Sequence, residues 1–596
     1  MTEVDAHVAA VAEEASLMAE ANLAPSTASK GADAEMKLAV DEPTKEEKRT
    51  VFIANLLLNL CGVVLWAGML TINALCASPC AARARGGRAA RPPNTMRQTQ
   101  LQARPNRPTE PSAPAPTPPP PTRPLRYDGI ISTTGWDLSQ VSLLYTLQVF
   151  TCFLACPMWG VAASYVSIRR LLAGALFAGA LLNILTGIVY LTDSFAFFVI
   201  LQLLKGVCLS PCQCLNRALI PKYYRLADRG KYYGLLEVAA GVGGLGGVLI
   251  GSTSYAGGTG GCYGGGGDDG CDGGFPKWAV PFLLLGGFMI PCGFLVLYFV
   301  VDPSKDTDVR AKIGEARLKI AFPGMLDEDT SLTWKLVGEM FTVKTWIFTV
   351  LQGVTGAFPW PALALLLYWF QLLGIDPFLS ILVSAGPAAG AALGGGIGGL
   401  IGDRLYRRWS KKYARVAVAQ TSVIVGPFLM IILFFALPQS SEYWWLFGIY
   451  GVIAGSLISW SAPNNNSNLS DVFPEATFPL AYGVSQLFEG SVSAWSPFVV
   501  SLVAENIFGV GELQNFDLKS DEKKAEDARG LGLSIFCVCC IGWGLCFLVI
   551  MPIYRYYPRE SRTLQLEAAL AKEAGEAGVG AVVLLHTETL DAATRV

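Results

Sequence analysis

The chain has 596 residues, of which 52% are hydrophobic and only 15% charged, against the roughly 25% charged residues of a soluble domain, so it reads as a polytopic membrane protein. Its net charge is -2, and its basic residues sit in short stretches between apolar runs, which leaves no basic face for nucleic acid. The two histidines, His7 and His586, lie in polar tails, so a histidine-centred triad or a histidine-ligated metal inside the fold is excluded; no metal site, cofactor or enzymatic activity is expected.

Residues 1–49 are polar, Ala/Glu-rich and acidic, with neither the apolar core of a signal peptide nor an arginine-rich leader, and read as a disordered cytosolic tail. Lys48 and Arg49 precede an apolar run over 50–76 that is long enough to cross ~30 Å of hydrocarbon and whose start belongs in the cytosol. Residues 77–126 interrupt the pattern with nine arginines and a proline-rich run, and read equally as a disordered insertion or a wrongly joined exon. Spans then follow near 138–162, 171–192, 195–219, 232–252 and 278–301, completing a first bundle over 50–301. The charged segment 302–344 suits a cytosolic link. Six more spans near 345–371, 377–401, 413–437, 443–465, 478–503 and 529–553 form a second bundle, and 554–596 form a C-terminal tail. Twelve spans place both termini in the cytosol. The predicted inner loops agree, carrying Arg169, Arg170, Lys222, Arg225, Arg229, Lys231 and the basic run from Arg404 to Arg415, while the outer loops hold Asp193, Asp268, Asp269, Asp272, Asp376 and Glu442.

Between two of these spans lies Gly399-Leu400-Ile401-Gly402-Asp403-Arg404-Leu405-Tyr406-Arg407-Arg408. Its glycines let two helices approach closely, Asp403 can face the positive end of a neighbouring helix, and the arginines hold the turn in the cytosol. An echo occurs 239 positions earlier, where Gly160 is followed by Ser164, Tyr165, Ser167, Arg169 and Arg170, with the spacing kept but the Asp and its Arg lost. Two such copies indicate an internal repeat. The pattern resembles the loop motif of the major facilitator superfamily, which implies an all-α membrane protein of twelve helices in two pseudo-symmetric six-helix bundles. The resemblance also makes Gly399, Asp403, Arg404, Arg407 and Arg408, with Gly160, Arg169 and Arg170, gating elements. In that family the Asp of the first copy pairs with the start of a helix in the opposite half; here only Asp403 keeps that capacity, so the inner gate is expected to be latched asymmetrically. Further stretches, Trp136-Asp137-Leu138-Ser139, Pro157-Met158-Trp159-Gly160, Tyr482-Gly483, Phe488-Glu489-Gly490 and the run from Pro497 to Glu505, are similar to the Spinster-like branch of plants and algae. That resemblance implies lysolipids or sphingoid lipids as substrates and an ion or proton gradient as driving force. The first span departs from it by carrying no acidic residue in Leu65-Trp66-Ala67-Gly68-Met69-Leu70.

Charges deep in apolar runs cost ~2.5–3.5 kcal/mol on insertion scales and are functional candidates by default. Lys205, in Leu201-Gln202-Leu203-Leu204-Lys205-Gly206, sits where the superfamily commonly has an arginine linked to substrate or proton handling, or it simply pairs with a carboxylate. Glu489, mid-way along the eleventh span, suits a proton-coupling carboxylate or a structural hydrogen-bonding group. Glu237 reads as a pairing partner near the cytosolic rim. Phe358-Pro359-Trp360-Pro361 predicts a helix break, with Trp360 lining the cavity or only packing. Tyr368, Trp369 and Phe370 read as an interfacial belt. The glycines from Gly241 to Gly251 make a face suited to close helix contact. The Gly/Asp loop from Gly257 to Gly274 lacks Gly-Lys-Ser/Thr, so it cradles no phosphate; Cys262 and Cys271 flank it and could form a disulfide outside the cytosol, and its aspartates belong to a flexible linker or, less simply, to a calcium site. The other cysteines fall mostly within apolar runs as small buried hydrophobes.

These features point to a secondary transporter working by alternating access on a small organic anion or an anionic amphiphile such as a lysolipid, because Lys205 is the one deep cation. Coupling to a proton or another ion stays open beside uncoupled efflux. The expected partners are that substrate, the coupling ion and membrane lipids, with no nucleic acid. The alternative class is a transporter-like receptor or scaffold that moves nothing.

Overall fold

The computed structural model describes residues 138–577 apart from 193, 254–261, 264–274, 277–278, 303–337, 475–476 and 511–519. The N-terminal tail, the run at 50–76, the insert at 77–126, most of the 302–344 link and Cys271, with its disulfide to Cys262, lie outside the described residues. Ten helices there are long and apolar enough to cross a membrane, from Thr146–Tyr165 to Asp521–Ile550. An eleventh long helix, Arg229–Thr253, occupies the place of the fifth span.

The first half contains α1 (Leu138–Leu154), α2 (Cys156–Tyr165), α3 (Ile168–Ile188), α4 (Phe195–Tyr223), α5 (Arg229–Thr253) and α6 (Val280–Phe299). Two-residue strands β1 (Cys262–Tyr263) and β2 (Phe275–Pro276) pair antiparallel between α5 and α6. The second half begins with a span broken into α7 (Lys344–Ala357), α8 (Pro359–Ala362) and α9 (Leu366–Leu372). It continues through α10 (Pro377–Ser384), α11 (Gly386–Arg408), α12 (Ala414–Ile431), α13 (Trp444–Ile458), α14 (Ser461–Ser470), α15 (Phe478–Ser493), α16 (Ser496–Asn506), α17 (Asp521–Ile550) and α18 (Ile553–Ala577). Proline explains several interruptions: it stands at the first or second position of α2, α8, α11 and α16, where its missing N–H costs least. The expected break at Phe358-Pro359-Trp360-Pro361 is therefore present, and a short 3₁₀ turn, Leu363–Leu365, carries the chain into α9.

Small residues set how near the helices come. A Cβ placed on Gly286 of α6 would lie 2.9 Å from the carbonyl of Ala180 on α3, and one on Gly390 of α11 would overlap the carbonyl of Val452 on α13. The two halves meet along two seams. In one, α5 packs on α11, where a Cβ on Gly234 would be 2.6 Å from the Gly395 carbonyl; in the other, α2 packs on α15, where a Cβ on Gly160 would be 2.8 Å from the Leu480 Cα.

Two readings of the sequence change. Trp369 and Phe370 are 2% exposed, so they form no interfacial belt. α9 turns them into the second half, where the Trp369 ring meets Phe434 and Phe447 edge-on and its indole N–H donates to the Ala528 carbonyl at 3.1 Å. The segment after 553 begins as a docked helix: Glu560 accepts from the backbone N–H groups of Lys344 and Thr345 at 2.8 and 2.9 Å, capping the open start of α7, and Tyr556 stacks on Phe348. The described cysteines within the spans are free and half-buried or buried.

Gly390→Ala forces a methyl group into the Val452 carbonyl and is expected to cost about 1–3 kcal/mol of stability. Gly174→Ala meets nothing within 4 Å and is expected to leave the thermal unfolding midpoint of the detergent-purified protein unchanged or slightly raised.

Candidate functional site

At the basic end of the molecule α5 starts at Arg229, so its first N–H groups lack partners within the helix and carry the positive end of its dipole. Asp403, near the end of α11, meets that start: its carboxylate accepts from the backbone N–H groups of Gly230 at 3.1 Å and Lys231 at 2.7 Å. Arg415 donates to Asp403 at 2.8 Å and to Asp471 at 3.0 Å, and its guanidinium lies 4.3 Å over the Tyr406 ring. Arg229 reaches Asp471 at 3.2 Å and the Ser470 carbonyl at 2.9 Å. Tyr557 of α18 donates to Asp471 at 3.0 Å. Burial first, and the Asp471 charge second, push the Tyr557 phenol well above its ordinary range, so it stays a donor. Two carboxylates and two guanidiniums thus neutralise one another where the halves meet, each below 6% exposed.

The expected gating residues divide. Asp403 and Gly399 lie in this contact, Gly399 against the Gly230 carbonyl, and Arg407 pairs at 2.8 Å with half-exposed Asp228. Arg404 and Arg408 are exposed and make no hydrogen bond or ion pair among the described residues, and Arg170 is also exposed. In the earlier copy Gly160 keeps its close contact with α15, whereas the buried Ser164 hydroxyl has no hydrogen-bond partner among the described residues. Arg169 is half-buried beside it in sequence, at the start of α3. That helix start is capped instead by Asp302, which accepts from Ile168 N–H at 2.9 Å and pairs with Lys222 at 2.9 Å.

Deeper along the same interface a polar chain crosses between the halves. Glu237 of α5 pairs with Arg217 of α4 at 2.8 Å, as a pairing partner should. Arg217 also donates to the side chain of Gln213 at 3.4 Å, Gln213 donates to Gln486 of α15 at 2.8 Å, and Gln486 donates to Glu489 at 3.0 Å. Glu489 fits because residue 353 of α7 is glycine: a Cβ there would fall 2.6 Å from the Glu489 Cγ.

Lys205 stands apart from this chain. It is 0% exposed, its ammonium lies 4.7 Å over the Phe282 ring of α6, and it has no hydrogen-bond partner among the described residues. Gln202, one turn away on α4, and Gln148 on α1 are equally buried, and all four of their amide atoms lack partners among the described residues. Gln148 belongs to this neighbourhood because its carbonyl and the Thr151 hydroxyl face Gly206 so closely that no Cβ would fit. No described contact joins Lys205 to Glu489, and Trp360 is half-buried in α8, packed on the second half's core. Lys205 and Glu489 therefore occupy separate environments, and Trp360 sits in the broken seventh span.

The sequence matches the family model described as Major Facilitator Superfamily over residues 125–497, more than half of the chain. The chain belongs to the major facilitator superfamily. Among solved structures it is similar to the MFS proton:xylose symporter XylE bound to 6-bromo-6-deoxy-D-glucose, at 15% identity and a TM-score of 0.53 over 86% of this chain and 97% of that one. A double-tryptophan mutant of XylE aligns at 14% identity and a TM-score of 0.52, covering 86% and 98%. A bacterial homologue of the human lysosomal transporter Spinster, inward-facing and unoccupied, aligns at 13% identity and a TM-score of 0.48, covering 88% and 98%. At these identities the XylE likeness establishes the fold alone. No curated protein matches the sequence.

Within this superfamily fold, Asp471, Tyr557, Arg217, Gln148 and Gln202 are positions that sequence reasoning missed. Only Asp471 carried a usable signal, as the sole charged residue between Glu442 and Glu475.

Asp471→Ala strands Arg229 and Arg415 without their shared carboxylate and is expected to destabilise the closed basic end by about 3–5 kcal/mol. Asp403→Ala is expected to act in the same direction, and Arg407→Ala by no more than about 1 kcal/mol because its pair is half-exposed. Maleimide labelling of a cysteine introduced at Leu480, buried against Gly160 in the α2–α15 seam, is the readout: it should rise in both aspartate variants, and unchanged labelling would count against the latch.

Proposed function

We propose that the chain is a secondary active transporter that moves a small organic anion, or an anionic amphiphile such as a lysolipid, by alternating access between its two bundles. The observation that carries this reading is Lys205, a wholly buried lysine side chain with no carboxylate partner, flanked by two buried amides that also lack partners among the described residues. Every other buried cation described has a carboxylate: Arg217 has Glu237, Lys222 has Asp302, Arg229 has Asp471, and Arg415 has Asp403 and Asp471. Leaving a buried donor or acceptor unmade costs about 1–3 kcal/mol, more for a charged group, so this cluster gains by receiving a guest that brings negative charge and hydrogen-bonding oxygens. An oxyanion satisfies the ammonium, and neighbouring hydroxyl or ester groups satisfy the amides.

In this reading the basic end faces the cytosol, as its arginines and lysines require, and both termini lie on that side. Asp403 and Asp471 hold the cytosolic side shut, and release of the guest inward requires the α5 start and Arg229 to leave them. Gly160, Gly399 and Arg407 line the seams that part, and Arg169, Arg170, Arg404 and Arg408 anchor the moving helix ends at the headgroups. Trp360, at the broken seventh span, serves the opposite gate.

The test is thermal unfolding of the purified protein across lysolipids, organic acids, sugars and sugar phosphates, repeated with Lys205→Ala. A ligand at a hundred times its Kd stabilises by about 2.7 kcal/mol; an anionic hit that vanishes in Lys205→Ala is the expected result. Stabilisation by neutral sugars alone, or by an anion indifferent to Lys205→Ala, overturns the site. A ligand that binds but is not moved in reconstituted vesicles would favour a receptor.

A further inference from the structure

The amides between the bundles have no freedom of orientation. Arg217 has only N–H groups to offer, so the Gln213 carbonyl oxygen must face it, which turns the Gln213 amide N–H toward Gln486. Gln486 must then accept with its oxygen and donate with its nitrogen to Glu489. Each amide therefore points the same way, from a guanidinium in the first bundle to a carboxyl in the second. An ionised Glu489 is the terminus this alignment favours, and aligned amides polarise one another. A protonated Glu489 carries its own O–H donor and accepts more weakly, so the alignment loses its terminus and the Gln213–Gln486 bond its preferred sense.

We propose that Gln213 and Gln486 are positioning residues that make closure between the bundles depend on the ionisation of Glu489: the charged carboxylate favours the closed basic end and its protonation favours opening. This rests on the alternating-access reading above. The groups facing Glu489 are compatible with such a role. Arg217 acts on it from α4, with Glu237 of α5 beyond it; Tyr482 and Gln486 face it from its own helix; Cys546 faces it from α17, and Gly353 of α7 leaves it room. Arg217 also lies 5.8 Å over the Tyr482 ring, a second contact between the bundles at the same depth. By linkage, a proton that prefers the open state must be released when the bundles close. The closed population therefore rises with pH and falls as Glu489 takes up its proton.

The test uses noncanonical-amino-acid spin labels at Tyr165 and Trp409, both exposed at the basic end of opposite bundles, in the full chain in lipid nanodiscs. In wild type the long-distance population is expected to rise about tenfold from about pH 8 to about pH 5 along a one-proton curve, within the 5–150-fold span usual for such couplings. Glu489→Gln should fix the population at its low-pH level. Gln486→Leu should abolish the pH response although Glu489 is intact, and Asp403→Asn should shift the populations at every pH while keeping the response. If Gln486→Leu does not fold, Gln213→Ala breaks the same bond from the other bundle. A wild-type response that survives in Gln486→Leu or Gln213→Ala, or no response in wild type, overturns the relay. Bundles that move with a stabilising ligand but not with pH sink the relay alone, whereas bundles that move with neither sink alternating access itself.

Discussion

Asp471 is where the two halves of this protein are tied together. It is one carboxylate serving an arginine from the first bundle, an arginine from the second and the phenol of a helix beyond the last span. In an apolar environment such a group is tolerable only if nearly every lone pair is used, because water cannot make up a shortfall. The surrounding elements must therefore arrive together: the start of α5, the end of α11, the start of α12, the turn after α14 and the first turns of α18 all converge on one small, electrically neutral cluster.

Glycine makes this convergence possible. Asp403 can reach the N–H groups of Gly230 and Lys231 only because α5 and α11 approach almost backbone to backbone, with Gly230 against Gly399 and Gly234 against Gly395. Packing and electrostatics are thus one constraint here. A larger residue at the seam would move the carboxylate away from the helix start, and a carboxylate without that start would lose both of its backbone donors. The same logic operates at Glu489, whose side chain occupies the space that a Cβ on Gly353 would take.

The spans from α1 onward are legible because they are local: apolar runs, glycine spacing and arginine placement are carried by neighbouring residues. Glu237 is recognisable in the sequence as half of a pair, but its partner Arg217 is not, since Gln213 and Arg217 sit in a helix whose sequence does not show which face they occupy. Gln148 and Gln202 were invisible for a related reason. A glutamine in an apolar run raises no alarm until burial shows that its amide has nothing to bond. Trp369 and Phe370 were misplaced because an aromatic cluster near the end of a span looks the same whether it faces headgroups or a core. α18 reads in the sequence as part of a tail, although one face of it supplies Tyr556, Tyr557 and Glu560 to the second bundle.

The serine at position 164 gives the two seams forces of different range. Along α5–α11 the halves are drawn together by charge, which still acts when groups are several ångströms apart. Along α2–α15 the close contact at Gly160 has dispersion behind it, which a gap of about 0.5–1 Å already cuts by a quarter to a half, while the Gln213–Gln486 bond ties α15 to the first bundle deeper in. The closed basic end is accordingly unevenly fastened, by charge on the α5–α11 side and by close packing on the α2–α15 side.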